Sequence, residues 1–288
     1  VDEEGVHLIP SADLPVGSIA SFDELTSLRQ VTDAGLGHLK ALTKLESLNL
    51  HGTEVHNAGL SHLAAMTNLR ELDLGGTQVT DAALEHLQGM TKLEELDLRG
   101  THVGDAGLVC LKALANLTTL KLSGTQVTDL GHMQGLTGLE QLDLRGTHVG
   151  DAEIKHVQGL PNLKELDLSE TNVGDAGLMH LNAMTKIGTV WLQRTQVSVA
   201  ALVPRRGLAS LVELDLGQTR IAGLGFEHLK GLPYLRVVNL EKSAVTDSGL
   251  EHLKGLTDLR MLTLRDTQVT DEGVKDFQQT LPNCKIYR

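Results

Sequence analysis

The chain has 288 residues, with 25 basic against 37 acidic side chains and a formal charge of −12, so its field attracts cationic partners and repels phosphate backbones. One Trp, two Tyr and three Phe leave no stacking platform for single-stranded nucleic acid, and no apolar run approaches the ~18 residues needed to cross a bilayer. Nucleic-acid binding and membrane insertion are therefore excluded as expectations.

The first residues, VDEEGVHLIP, have neither a basic n-region nor an apolar h-region and begin with Val. They suggest a soluble, processed or excised segment without a signal peptide, and leave the compartment open. Residues 1–24 contain Pro10 and Pro15, follow no period, and are expected to cap the array beyond them. From Val31 a template emerges: Asp33, Gly35, Leu36, Leu39 and Leu42 form a partial unit. Complete units then start at Leu45, Leu69, Leu93, Leu117, Leu139, Leu163, Ile187, Leu211, Leu235 and Leu259.

The unit from Leu69, LRELDLGGTQVTDAALEHLQGMTK, places Leu at positions 1, 4 and 6, Thr at 9, Val at 11, Asp at 13 and apolar residues at 16, 19 and 22. Leu72 and Leu74 alternate with polar neighbours as a half-buried strand requires, while Leu84, Leu87 and Met90 mark one face of a short helix. Asp81 stands where it can cap that helix and meet its dipole. A unit of this size cannot bury its apolar side alone, so its neighbours must stack on it.

Three units depart from the template. Between Leu117 and Leu139 there are only 22 residues, because TDLGHMQGL lacks two positions after the Asp, which shortens one helix. The Ile187 unit has Val199 in place of the Asp and Pro204-Arg205-Arg206-Gly207 where its helix should end, so a loop is expected there. The last unit runs into FQQTLPNCKIYR, whose Cys284 and Ile286 start a closing strand over 284–288. Cys110 and Cys284 sit in repeats far apart along the stack, beyond disulfide reach.

The pattern LxxLxLxxTxVTDxGLxxLxxLTxL resembles the leucine-rich repeat of bacterial, planctomycete-type proteins over residues 25–286, and the 22-residue unit resembles the internalin type. The resemblance implies an α/β fold: a right-handed solenoid or horseshoe over 25–283, with a parallel sheet on the concave face, short helices on the convex face, and recognition of a protein or peptide partner on the sheet. Many such repeats carry Asn at position 9. Here Thr53, Thr77, Thr101, Thr125, Thr147, Thr171, Thr195, Thr219, Ser243 and Thr267 fill it, and a weaker polar ladder is expected from a hydroxyl with one donor.

If positions 4 and 6 face inward, positions 3, 5 and 7 face outward. The outward set holds Glu71, Asp73, Glu95, Asp97, Arg99, Lys121, Asp143, Arg145, Glu165, Asp167, Trp191, Gln193 and Asp215. Adjacent strands would bring Asp73 beside Asp97 and Asp143 beside Asp167 at ~4.8 Å, an arrangement that needs an offset. His51, Arg99, Arg145 and Arg265 are placed to supply it, and Lys121 interrupts the row. Two readings stand: a consensus surface that is internally paired, or an acidic trough for a basic peptide or protein. Trp191 is the sharpest feature of the second, since Trp is enriched at binding hot spots; in the first it packs over small neighbours.

Position 18 carries His38, His62, His86, His132, His156, His180, His228 and His252. A column of imidazoles invites a metal or pH-sensing role, yet no unit supplies a second ligand, and consensus packing is the expectation. There is no GxSxG, HExxH, CxxC or Walker loop, and Gly223-Leu224-Gly225 is only a fragment of GxGxxG. The abundant Asp and His recur with the unit, whereas a catalytic set is unique. We therefore expect a non-enzymatic monomer with no catalytic residues, metal or cofactor, acting as a scaffold for a basic protein or peptide; the alternative is a structural spacer or a regulatory or substrate-selecting arm of a larger protein.

Overall fold

A computed structural model describes residues 31–198 and 208–288. The expected cap over 1–24 and the irregular segment from Val199 to Gly207 lie outside the described residues. Two compact units divide between Gln141 and Leu142.

Each repeat contributes a three-residue strand. In the first unit these are β1 (Ser47–Asn49), β2 (Glu71–Asp73), β3 (Glu95–Asp97) and β4 (Thr119–Lys121), paired in parallel and in chain order. Strand β5 (Gln141–Asp143) falls at the division. The second unit holds β6 (Glu165–Asp167), β7 (Thr189–Trp191), β8 (Glu213–Asp215), β9 (Val237–Asn239), β10 (Met261–Thr263) and β11 (Lys285–Tyr287), again parallel neighbours in an open sheet. The register is uniform, so each repeat position lies beside its equivalent: Leu72 pairs Leu96, and Val190 pairs Leu214.

The inward positions form the core. Leu69, Leu72, Leu74, Val79, Leu84, Leu87 and Met90 are all 1 % exposed or less, and so are Leu93, Leu96, Leu98, Val103, Leu108, Leu111 and Leu114 of the next repeat. The helices are shorter than a regular amphipathic helix: α1 (Asp33–Leu36), α2 (Asn57–Leu60), α3 (Asp81–Leu84), α4 (Asp105–Cys110), α5 (Asp151–Ile154) and α6 (Asp175–Leu178) last a turn or two, and most run on into a 3-10 segment such as Glu85–Leu87. Apolar residues every third position, Leu84, Leu87 and Met90, match the 3.0 residues per turn of a 3-10 helix, which stacks them in one line. In the 22-residue repeat only the 3-10 turn Gly131–Gly135 remains. Among the described α-helices, α7 (Asp247–Leu253) and α8 (Asp271–Thr280) are the longest. No described helix is long and apolar enough to cross a membrane.

Two expectations about polar residues are corrected. Asp81 does not cap its own helix, of which it is the first residue; its Oδ1 accepts the Gly104 N–H at 2.6 Å, at the start of the next repeat's helix. The same step recurs from Asp33 to His56 N (2.7 Å), Asp105 to Thr128 N (2.7 Å), Asp151 to Gly174 N (2.6 Å), Asp175 to Ser198 N (2.6 Å) and Asp247 to Thr270 N (2.8 Å). Caps therefore pass from repeat to repeat. The position-9 hydroxyls make no ladder: Thr77 Oγ1 donates to Leu74 O at 2.6 Å, and the others close their own turns in the same way. The link at that corner is a backbone one, exemplified by Gln78 N to Val55 O (3.0 Å) and Gln196 N to Val173 O (2.9 Å).

The handed-on cap explains the glycine two residues after the Asp. A Cβ built on Gly107 would stand 2.7 Å from Asp81 Oδ1, and one on Gly177 2.7 Å from Asp151 Oδ1. The exceptions fit. Asp129 of the short repeat turns back to its own Gly131 N (2.7 Å), and in the repeat that follows Glu153 replaces the glycine and caps Gly150 N itself (3.1 Å).

The corner after each strand needs a left-handed residue. Gly52, Gly76, Gly100, Gly124 and Gly146 supply it with φ of 65–68°. In the next five repeats Glu170, Arg194, Gln218, Lys242 and Asp266 take the same conformation with φ of 53–59°, at a cost of roughly 1 kcal/mol each for a side chain in that region.

The position-18 histidines are not core groups: they are half-buried, and His38 is exposed. Among the described residues no cluster of three or more His, Cys, Asp or Glu is arranged to hold a metal ion. Cys110 and Cys284 are both free thiols; burial pushes Cys284 up to about 11, leaving it unreactive at neutral pH.

Candidate functional site on the outer sheet face

The outward row at position 5 is built into the turns. Asp73 Oδ1 accepts the Gly75 N–H (2.8 Å), Asp97 that of Arg99 (3.0 Å), Asp143 that of Arg145 (2.9 Å), Asp167 that of Ser169 (2.8 Å) and Asp215 that of Gly217 (2.8 Å). Asn49 and Asn239 do the same with His51 and Glu241. A carboxylate or carboxamide two residues before the corner is thus an Asx turn, and the backbone dipoles offset the like charges of neighbouring strands. That role was readable in the D-x-[R/S/G] spacing.

In the first unit cations complete the offset. Asp97 is 2 % exposed beneath Arg99, whose Nε and Nη2 reach its Oδ2 at 2.8 and 2.6 Å. Lys121 Nζ bonds Glu95 Oε1 at 2.5 Å and lies 4.0 Å from Asp97 Oδ2. His51 Nδ1 is 3.5 Å from Asp73 Oδ1, and Glu71 accepts from Ser47 Oγ at 3.0 Å.

The second unit is arranged differently. Register places Asp167, Trp191 and Asp215 side by side, and Glu165, Thr189 and Glu213 beside them one pleat away. Leu144 N donates to Asp167 O, which continues the ladder from the end of β5 and brings Asp143 into the row. Arg145 does not return to the sheet; its Nη2 goes to Glu170 at 2.9 Å, and Arg194 joins the same carboxylate at 3.2 Å. Both cations are drawn to the corner, away from the strands. Trp191 is half-buried, its indole N–H directed at Glu213 Oε1 at 3.3 Å. Asp215 Oδ2 also accepts from Asn239 Nδ2 at 2.9 Å. Gln193 is half-buried, and its carbonyl accepts the Glu170 N–H. Four carboxylates, Glu165, Asp167, Glu213 and Asp215, thus lie on the strands around the Trp191 ring.

The comparisons fit this architecture. A family profile described as "Leucine rich repeat" matches residues 43–103, and a second of the same description matches 113–133 and 159–181. No curated protein matches by sequence. Among solved structures, an internalin from Listeria monocytogenes is 20 % identical with a TM-score of 0.66, covering 92 % of each chain. Internalin C2 of the same organism is 25 % identical with a TM-score of 0.59, over 82 % of this chain and 92 % of that one. A plant peptide hormone receptor, RGFR1 in complex with RGF2, is 14 % identical with a TM-score of 0.58; the match covers 87 % of this chain but 40 % of the receptor. Uniform register, buried Leu ladders and one short helical turn per strand, together with these matches, make the chain a leucine-rich repeat protein of the α/β solenoid class.

Proposed function

We propose that this chain is a non-enzymatic scaffold that binds a basic protein or peptide on the outer face of its sheet, with Trp191 as the anchor. The supporting observation is the arrangement of β6–β8: Glu165, Asp167, Glu213 and Asp215 surround Trp191 while Arg145 and Arg194 are engaged with Glu170. The first unit carries an acidic row of its own, Glu71, Asp73, Glu95 and Asp97, tempered by Arg99 and Lys121. The net charge of −12 adds a long-range attraction for cations. Peptide binding is also in keeping with the structural likeness to a plant peptide hormone receptor solved in complex with RGF2.

The Asx-turn role of Asp73, Asp167 and Asp215 favours a second reading, in which the acidic row is structural and the chain is a spacer or arm of a larger protein. Trp191 fluorescence separates the two. In a binder the emission shifts and gains protection from acrylamide on adding an oligolysine or oligoarginine peptide, and the effect weakens as salt rises from 50 to 500 mM, since screening is strong at the higher value. Emission indifferent to cationic peptides at low salt refutes the scaffold reading and leaves the structural one.

A further inference from the structure

The outer face of the second unit changes chemistry part way along. Over β6 and β8 the outward residues are four carboxylates. Over β9, β10 and β11 they are Val237, Asn239, Met261, Thr263, Lys285 and Tyr287, with no carboxylate among them. Val237 and Met261 are register partners on adjacent strands, both half-buried, with the inward Val238 and Leu262 fully buried behind them. Tyr287, beside Thr263, is 40 % exposed. An apolar centre therefore adjoins an acidic one on the same sheet.

The border of this face carries a second, independent mark. It is along these repeats that the left-handed corner, glycine in the earlier ones, is occupied by Glu170, Arg194, Gln218, Lys242 and Asp266. Side chains stand there against the backbone preference. They form a polar row: Arg194 bridges Glu170 and Gln218 (3.2 and 2.7 Å), and Lys242 lies 3.0 and 3.8 Å from Glu241 and Asp266. A polar row along one edge of an apolar, aromatic-bearing face is in keeping with the composition of a recognition surface.

We propose that β6–β11 form a two-part docking surface for one extended polypeptide segment of a partner, its basic residues over Trp191 and the carboxylates of β6–β8 and its apolar residues over Val237, Met261 and Tyr287. The inference rests on the scaffold reading and specifies its ligand. Charge selects the occupant: a second copy of this chain, at −12, or an anionic membrane or nucleic acid would be repelled by the same face. At ~4.8 Å per strand, β6 to β11 span about 24 Å, which an extended segment crosses in roughly seven residues.

The test uses labelled 12-residue peptides and fluorescence anisotropy on the whole chain. Four peptides are compared: Lys/Arg at the N-terminal half with Leu/Val/Tyr at the C-terminal half, the reverse order, a basic-only peptide with Ser in place of the apolar residues, and an apolar-only peptide with Ser in place of the basic ones. One of the two-part orders should bind about tenfold more tightly than the basic-only peptide, a gain of ~1.4 kcal/mol. That gain should vanish in V237S/M261S, whose affinity for the basic-only peptide stays unchanged. Y287S, on an exposed side chain, should lose part of the gain and serves as the test if the double variant fails to fold. Equal binding of basic-only and two-part peptides, or a gain that survives V237S/M261S, or Y287S where the double variant does not fold, overturns the two-part surface and leaves the acidic scaffold standing. If no peptide binds, both fall.

Discussion

At the scale of single residues, the repeat is held in register by groups whose partners lie in the next repeat. Asp151 is an example: its Oδ1 accepts from Gly174 N at 2.6 Å and Gly177 N at 2.9 Å. Asp151→Ala should cost about 1–2 kcal/mol, the usual loss for a helix cap, and Gly177→Ala about 1–3 kcal/mol, because its Cβ would meet that carboxylate at 2.7 Å. Urea unfolding of the two variants and their combination checks this; since both break one contact, the double variant should lose less than the sum. Lys242 gives the opposite sign. Its left-handed conformation costs roughly 1 kcal/mol or somewhat more, glycine adds back about 0.5–1 kcal/mol of chain entropy, and its ion pairs are exposed and weak. Lys242→Gly should therefore raise stability by about 0.5 kcal/mol, seen as a small increase in Tm; a decrease would show that the pairs with Glu241 and Asp266 outweigh the strain.

At the scale of elements, two of the handed-on carboxylates, Asp105 and Asp247, make the contacts between repeats acid-sensitive. Hydrogen bonds from the Thr270 N–H and hydroxyl hold Asp247 below the usual carboxylate range. For Asp105 burial pushes upward, but the N–H groups of Asp129 and Thr128, the Thr128 hydroxyl and nearby His132 outweigh it and the net shift is downward. A carboxylate whose folded pKa lies below its unfolded one stabilises the fold above the unfolded value and loses that contribution as pH falls through the folded one. Stability should hold steady down to about pH 4 on this account and then decline as both groups protonate. Melts of wild type and Asp247→Asn between pH 5 and 2.5 check this: the variant keeps an acceptor but no titrating group, and should lose less over the interval.

At the scale of the whole molecule, each repeat completes its neighbour's core, so local damage should spread along the stack. Leu96 is fully buried between Leu72 and Leu120 of adjacent strands. Leu96→Ala should cost about 2–5 kcal/mol. Hydrogen exchange should quicken in the flanking strands β2 and β4 as well as in β3, since stability in a repeat array is carried by nearest-neighbour interfaces. Faster exchange confined to β3 would show that the repeats open one at a time.

Much of this was legible in the order of residues. Leu at 1, 4 and 6 and the apolar positions 16, 19 and 22 dictate strand, corner and helical turn, because burial follows the two periods regardless of what surrounds them. The outward set, from Glu71 to Asp215, follows from the same alternation. What the sequence could not decide is where each polar side chain finds its partner. Asp81 reads as the cap of the helix it precedes, yet serves the helix of the next repeat; Thr77 reads as part of a ladder, yet closes its own turn; Arg145 stands beside Asp143, yet pairs with Glu170 at the following corner. Those choices depend on distances across the stack, which a repeat 24 residues away in the chain brings to one strand spacing. Hydrophobic burial needs only a pattern, and so the sequence by itself determined the fold. Hydrogen bonds and ion pairs need a partner at about 3 Å, and only the tertiary structure decided which charges remained on the face around Trp191.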